Sequence, residues 1–226
     1  MENLYKELRS FFANDIDVND LFDSEAIIWI DWREYDEDVV NYFNDMMDES
    51  IYIKTVSNGK PYGDDIVLKH GNKELQIPYG DEQDRDVTIK YFNDFVKPDY
   101  EVRWFAESLG NDTLGFTVLS GAEWAKLNDE FGADTVRYYF EPIDLESNMF
   151  NLDMDEVFAL LALREDSEGV NTQFSTQLDW IRIIKKEKAL TEQKETGQID
   201  LKQYMVAKKE LQQSKDDFIA AHGPMK

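Results

Sequence analysis

Chemistry in this chain has to come from carboxylates, because little else is present: Asp and Glu number 48, His only 2 and Cys 0. His70 stands at the end of an expected strand beside a hairpin, and His222 lies close to the last residue. Neither neighbours a strand–turn–helix serine and no G-x-S-x-G string occurs, so a serine–histidine nucleophile is not expected. The phosphate-cradling strings G-x-x-x-x-G-K-[S/T] and G-x-G-x-x-G are missing too. Without cysteine there are no disulfides, thiolate zinc sites or thiol catalysis, which fits a reducing compartment. No catalytic residue, metal ligand or cofactor is assigned on this reading.

Carboxylates can hold a metal. NDIDVNDLFDSEA spaces Asp15, Asp17, Asn19 and Asp23 like the opening of a calcium loop. However, Asp20 stands where the turn needs glycine, and Ala26 stands where the bidentate acid belongs. Asp99, Glu101 and Arg103 evoke a nuclease fragment, but Glu101 and Arg103 share a strand face and read better as a cross-strand salt bridge. Three further clusters are Glu34, Asp36, Glu37 and Asp38 in EYDEDVV, the pair Asp64 and Asp65, and Asp81, Glu82, Asp84 and Asp86 in GDEQDRD. A helix dipole stabilises each acid at its N-terminus by about 0.3–1 kcal/mol. That accounts for where the acids sit and not for how many there are.

Aromatic residues flank these clusters, and aromatic anchors ringed by charge suit a steered protein interface. The expected partner-binding surface comprises Trp32, Glu34, Tyr35, Asp36, Glu37, Asp38, Tyr62, Asp64, Asp65, Tyr79, Asp81, Glu82 and Asp84. The net charge of −24 repels nucleic acid and anionic lipid and speeds encounter with basic proteins. A basic protein is therefore the expected partner, with no direct nucleic-acid or membrane contact; the alternative is that the acidity only keeps the protein soluble.

The charge is unevenly spread. Residues 1–163 carry 37 acids and 13 bases, whereas residues 164–226 carry 11 of each. This step marks an expected joint between an acidic α+β domain (1–163) and a neutral helical extension (164–226). No apolar run approaches the ~20 residues that cross a bilayer. The opening MENLYKELRSFF lacks the basic-then-apolar order of a signal peptide, and a cytoplasmic protein is expected.

The elements that must position these residues emerge from periodicity. Glu2 to Ala13 reads as a helix, and AIIWIDW (Ala26 to Trp32) as a strand covered on both faces. YFND occurs twice, at Tyr42 to Asp45 and Tyr91 to Asp94. Each copy lies in an amphipathic helix whose aromatics face inward, with Asn44, Asp45, Asn93 and Asp94 expected to face water. Strands are expected at Ile51–Val56, Ile66–His70, Leu75–Tyr79 and Tyr100–Phe105, with a hairpin turn at Gly71-Asn72. Alternation puts Tyr100, Val102 and Trp104 on one face, beside Leu114, Phe116 and Val118. Ser120 to Glu123 is a capping box, and Gly132 ends its helix. Asn171 to Leu190 and a helix capped by Asp200 form a hairpin, with Tyr204, Leu211 and Phe218 seven apart. The fold class is thus α+β: a mainly antiparallel sheet with helices packed on one side, plus a C-terminal helical hairpin.

From Trp32 to Ile143, with SLGNDTLGF as its most distinctive string, the chain resembles small acidic bacterial α+β proteins, some of which are toxin-immunity proteins. That resemblance implies stoichiometric inhibition of a toxin, with no catalytic residues. LTEQKETGQIDLKQYMVAKKEL resembles the SHOCT-type hairpin through Gly197, Ile199, Tyr204 and Leu211, which implies an accessory or self-association role. The expected function is non-enzymatic inhibition of a basic protein. The alternatives are a nucleic-acid mimic that blocks a DNA- or RNA-binding enzyme, and a carboxylate-metal hydrolase.

Overall fold

The computed structural model describes residues 2–47, 50–61, 63–166 and 172–225. Tyr62 of the expected surface and Asn171, the expected start of the hairpin, lie outside the described residues. The chain divides into two compact units, Met1–Leu152 and Asp153–Lys226. The charge step near Arg164 falls within a helix of the second unit, Met154–Asp166.

The first unit is α+β. Its helices are α1 (Glu2–Phe12), α2 (Val18–Phe22), α3 (Asp36–Asp45), α4 (Arg85–Val96), α5 (Gly121–Phe131) and α6 (Ala133–Tyr139). Its strands are β1 (Ile28–Asp31), β2 (Tyr52–Ser57), β3 (Asp64–His70), β4 (Lys73–Gln76), β5 (Tyr100–Phe105), β6 (Thr113–Ser120) and β7 (Phe140–Pro142). The larger sheet is antiparallel in the order β1-β6-β5-β7. Its register pairs Val102 with Val118, Trp104 with Phe116 and Ile30 with Leu114, so these six share the face that alternation predicts. Against that face Phe43 of α3 packs 6.1 Å from Phe116 and 5.3 Å from Phe92 of α4. On the opposite face Phe105 and Leu119 join Leu8, Phe11, Phe12, Trp124, Leu127 and Phe140 in one core. Helices therefore lie on both faces, which corrects the expectation of helices on one side: both faces of the sheet carry large apolar residues, and α3 and α4 cover one while α1, α2, α5 and α6 cover the other. The strand expected over AIIWIDW is shorter, Ile28–Asp31 at the sheet edge, and only Ile30 of it is buried. Close packing there needs a glycine: a Cβ on Gly115 would stand 2.8 Å from Ile27 Cγ2.

The smaller sheet is the antiparallel meander β2-β3-β4. Ile66, Val67 and Leu68 bury its middle strand, while β2 is an outer strand exposed at every position but Ile53. His70 pairs with Lys73 across a two-residue turn, with Gly71 supplying φ 57 at the first central position. The β4 strand ends at Gln76, with one further backbone bond from Ile77 N to Ile66 O (2.9 Å), so pairing stops short of the expected Leu75–Tyr79 strand, and Pro78 has no N–H for a ladder.

Both YFND copies tie their helix to the segment after it. Asp45 and Asp94 are exposed as expected, but Asn44 and Asn93 are not turned to water. Asn44 accepts from Ile51 N (2.9 Å) and donates to Ile51 O (2.8 Å). Asn93 is buried, accepts from Val102 N (2.7 Å) and donates to Ile143 O (2.7 Å).

The second unit contains α7 (Met154–Asp166), α8 (Phe174–Glu195) and α9 (Leu201–His222). The last two form the expected hairpin. Asp200 caps α9 in a reciprocal box with Gln203, Trp180 packs 5.3 Å from Phe218, and Lys215 pairs with Glu187 at 2.6 Å.

Candidate functional site

Three acid-bearing segments of the first unit converge where α4 begins. Asp84 caps that helix by accepting from Val87 N at 3.1 Å, which leaves Arg85 as its first residue. Arg85 Nε donates to Asp36 Oδ1 at 3.0 Å, and its two terminal nitrogens donate to the carbonyls of Asp31 and Glu34. One guanidinium thus holds the turn between β1 and α3 against α4, a use for which its planar fork is suited. Gln83 Nε2 donates to Asp64 O (3.0 Å) and Lys60 Nζ to Gly80 O (2.7 Å), which brings in the β2–β3 turn. Asn58 and Gln76 both donate to the Asp65 carboxylate, at 2.6 and 2.7 Å.

Tyr79 reports the convergence. Its ring is buried, and its hydroxyl shares a hydrogen with Thr88 Oγ1 at 2.6 Å. Burial first, then the negative fields of Asp36, Glu37 and Asp65, push that hydroxyl far above the ordinary tyrosine range. The Tyr79 phenol therefore stays neutral under the field of acids from α3 and β3. Glu34 accepts from the Tyr42 hydroxyl at 3.2 Å, and burial, followed by Glu34, raises that hydroxyl too.

The predicted surface residues divide into two groups. Trp32 and Tyr35 stand out with 60% and 75% of their area exposed, and Arg33 lies over the Trp32 ring at 4.7 Å. Asp81 and Glu82 are exposed, and Glu34, Glu37, Asp38, Asp64, Asp65 and Asp84 are half-buried. Asp36, only 4% exposed, and Tyr79 are turned inward and hold the site together. Nothing in the residue types separates Asp36 from Asp81. Arg85, Gln83, Asn58 and Lys60 were missed by sequence reasoning; the one signal was an arginine isolated in the acidic string GDEQDRD.

Asp86, the last acid of the GDEQDRD cluster, was not among the expected surface residues. It is buried and accepts from the amides of Met149 (3.0 Å), Phe150 (2.9 Å) and Asn151 (3.1 Å). Burial raises its carboxyl above the usual aspartate range, and the three amide hydrogens only partly offset this.

The other carboxylate sets have local duties. Asp17 and Asp20 cap α2 reciprocally, Asp17 accepting from Asn19 N and Asp20 N, and Asp20 from Asp17 N. Glu101 accepts from Arg103 at 3.1 Å within one strand, where a cross-strand bridge was expected. The Arg103 guanidinium lies 4.1 Å from the Trp124 ring; burial lowers its pKa, and Glu101 partly restores it. Among the described residues no group of three or more His, Cys, Asp or Glu is placed to hold a metal ion.

Fold and site together define an α+β protein that presents two open aromatic rings amid carboxylates, over a clamp built from Arg85. In comparisons with family models, curated proteins and solved structures, nothing matches this chain.

Proposed function

We propose that this protein is a non-enzymatic inhibitor that binds a basic protein, in the manner of an immunity protein against a toxin. The observation that carries this reading is the convergence at Arg85: separate acid-bearing segments are held together beside exposed Trp32 and Tyr35. Trp and Tyr are the residue types that most often anchor interfaces, and the surrounding carboxylates steer a cationic surface onto them. Asp81 and Glu82 are exposed to meet Lys and Arg of that partner.

Immobilised full-length protein is challenged with a lysate of the source cell at ionic strengths of about 0.01 M and then about 1 M, between which the screening length falls from ~30 to ~3 Å. A basic protein is retained at low salt and released at high salt, and its own activity is blocked by equimolar inhibitor. Trp32→Ala and Tyr35→Ala each weaken the complex by about 2 kcal/mol or more. Failure to retain any basic protein at low salt, or retention indifferent to both substitutions, overturns the proposal. A retained enzyme that duplex DNA displaces moves the reading to nucleic-acid mimicry.

A further inference from the structure

We propose that the second unit pairs with the same unit of a second copy of this chain, α7 of each copy entering a groove of the other. The starting point is a helix with too much apolar surface. Val157 and Leu160 are buried, yet Met154, Phe158 and Leu161 point to solvent at i, i+4 and i+7, with Phe158 63% exposed. On the neighbouring side Ala159, Ala162 and Leu163 line a groove of about 750 Å³ with Trp180, Ile181 and Ile184 of α8. Val157 to Leu163 are seven apolar residues in a row, so two turns of this helix are apolar all round. Such a stretch is normally enclosed, and a contiguous exposed apolar patch marks an interaction surface.

Charge leaves this unit as the place where a second copy can dock. Residues 1–152 carry 34 acids and 13 bases, net −21, whereas residues 153–226 carry 14 acids and 11 bases, net −3. A basic partner is drawn to the first unit. A second copy brings its own −21 body and can be tolerated only where the contact itself is nearly neutral, which is this unit. The groove rim suits a self-complementary contact: Asp155 and Glu192 stand with Lys185 and Lys188. A two-fold axis can then set Lys188 of one copy against Asp155 of the other while each Phe158 fills the facing groove. An isologous contact of this kind closes at two copies.

Sedimentation of the full chain from micromolar to submillimolar concentration, at low and high salt, tests this. The dimer, twice the 26.5 kDa chain, grows stronger at high salt, because salt screens the repelling bodies and leaves the apolar contact. That response is opposite to the one expected of the acidic surface, and Trp32→Ala leaves it unchanged, so the two proposals fail separately. Phe158→Asp weakens dimerisation at least about tenfold with unchanged circular dichroism, as suits an exposed position, while Phe158→Leu keeps the dimer. A monomer at both salts, a Phe158→Asp protein that dimerises like the parent, a dimer favoured by low salt, or open-ended assembly overturns the proposal.

Discussion

Arg85 and Asp36 form the pair on which the loop cluster depends. Asp36 is almost wholly buried, and its Oδ2 has no hydrogen-bond partner among the described residues, so the Arg85 contact through Oδ1 supplies its compensation. Removing one member of such a pair costs about 3–5 kcal/mol, since the other charge stays buried. Arg85→Ala is expected to lose that much in denaturant unfolding. Arg85→Lys recovers only part of it, because an ammonium cannot span Asp36 and two carbonyls at once. Asp86 gives a pH-dependent counterpart. Its carboxyl is raised in the folded state, so the stability it contributes is fully present below the ordinary aspartate value and is lost as pH rises through the folded one. A plot of unfolding free energy against pH for the parent minus Asp86→Asn should fall across that interval; a rise would show that the three amide hydrogens outweigh burial. None of this was legible from residue type. The partners of Asp36 and Asp86 lie 49 and 63–65 positions away, and a carboxylate in an acidic string carries no mark of which contact it will make.

At the scale of elements, much more was legible, because apolar period is a local property. The faces of β5 and β6, the capping boxes at Ser120 and Asp200 and the helical hairpin are all set by spacing alone. The paired YFND helices were correctly read as amphipathic, and their asparagines were misplaced for a physical reason. Polarity predicts exposure on average, but an amide that can both donate and accept is equally able to finish a backbone ladder where a helix meets a strand. Asn93→Ala leaves Val102 N–H buried without its acceptor, which costs about 1–3 kcal/mol. Ile143 O suffers less, since Lys97 Nζ also donates to it at 3.1 Å. Asn44→Ala should cost less than Asn93→Ala, because Asn44 is only half-buried. Chemical unfolding of the two variants, compared side by side, checks the ranking.

At the scale of the whole molecule, the two compact units differ in charge, although they divide at Leu152 and not at the charge step near Arg164. The strongly acidic part builds a sheet-centred unit with a convergent, aromatic-bearing surface, and the nearly neutral part builds a helical unit with uncovered apolar residues. The −24 charge has a further effect through β2 (Tyr52 to Ser57), an edge strand that pairs with no strand but β3 among the described residues and carries Lys54 as its only cation. Such an edge is a template for intermolecular sheet growth, which mutual repulsion normally prevents. Near pH 4.3 the repulsion vanishes, and strands from different molecules become free to zip together. Turbidity should therefore peak close to that pH. It should rise in Lys54→Val and fall in Lys54→Pro, making acidification a hazard in storing this protein and the edge a natural place to engineer shelf life.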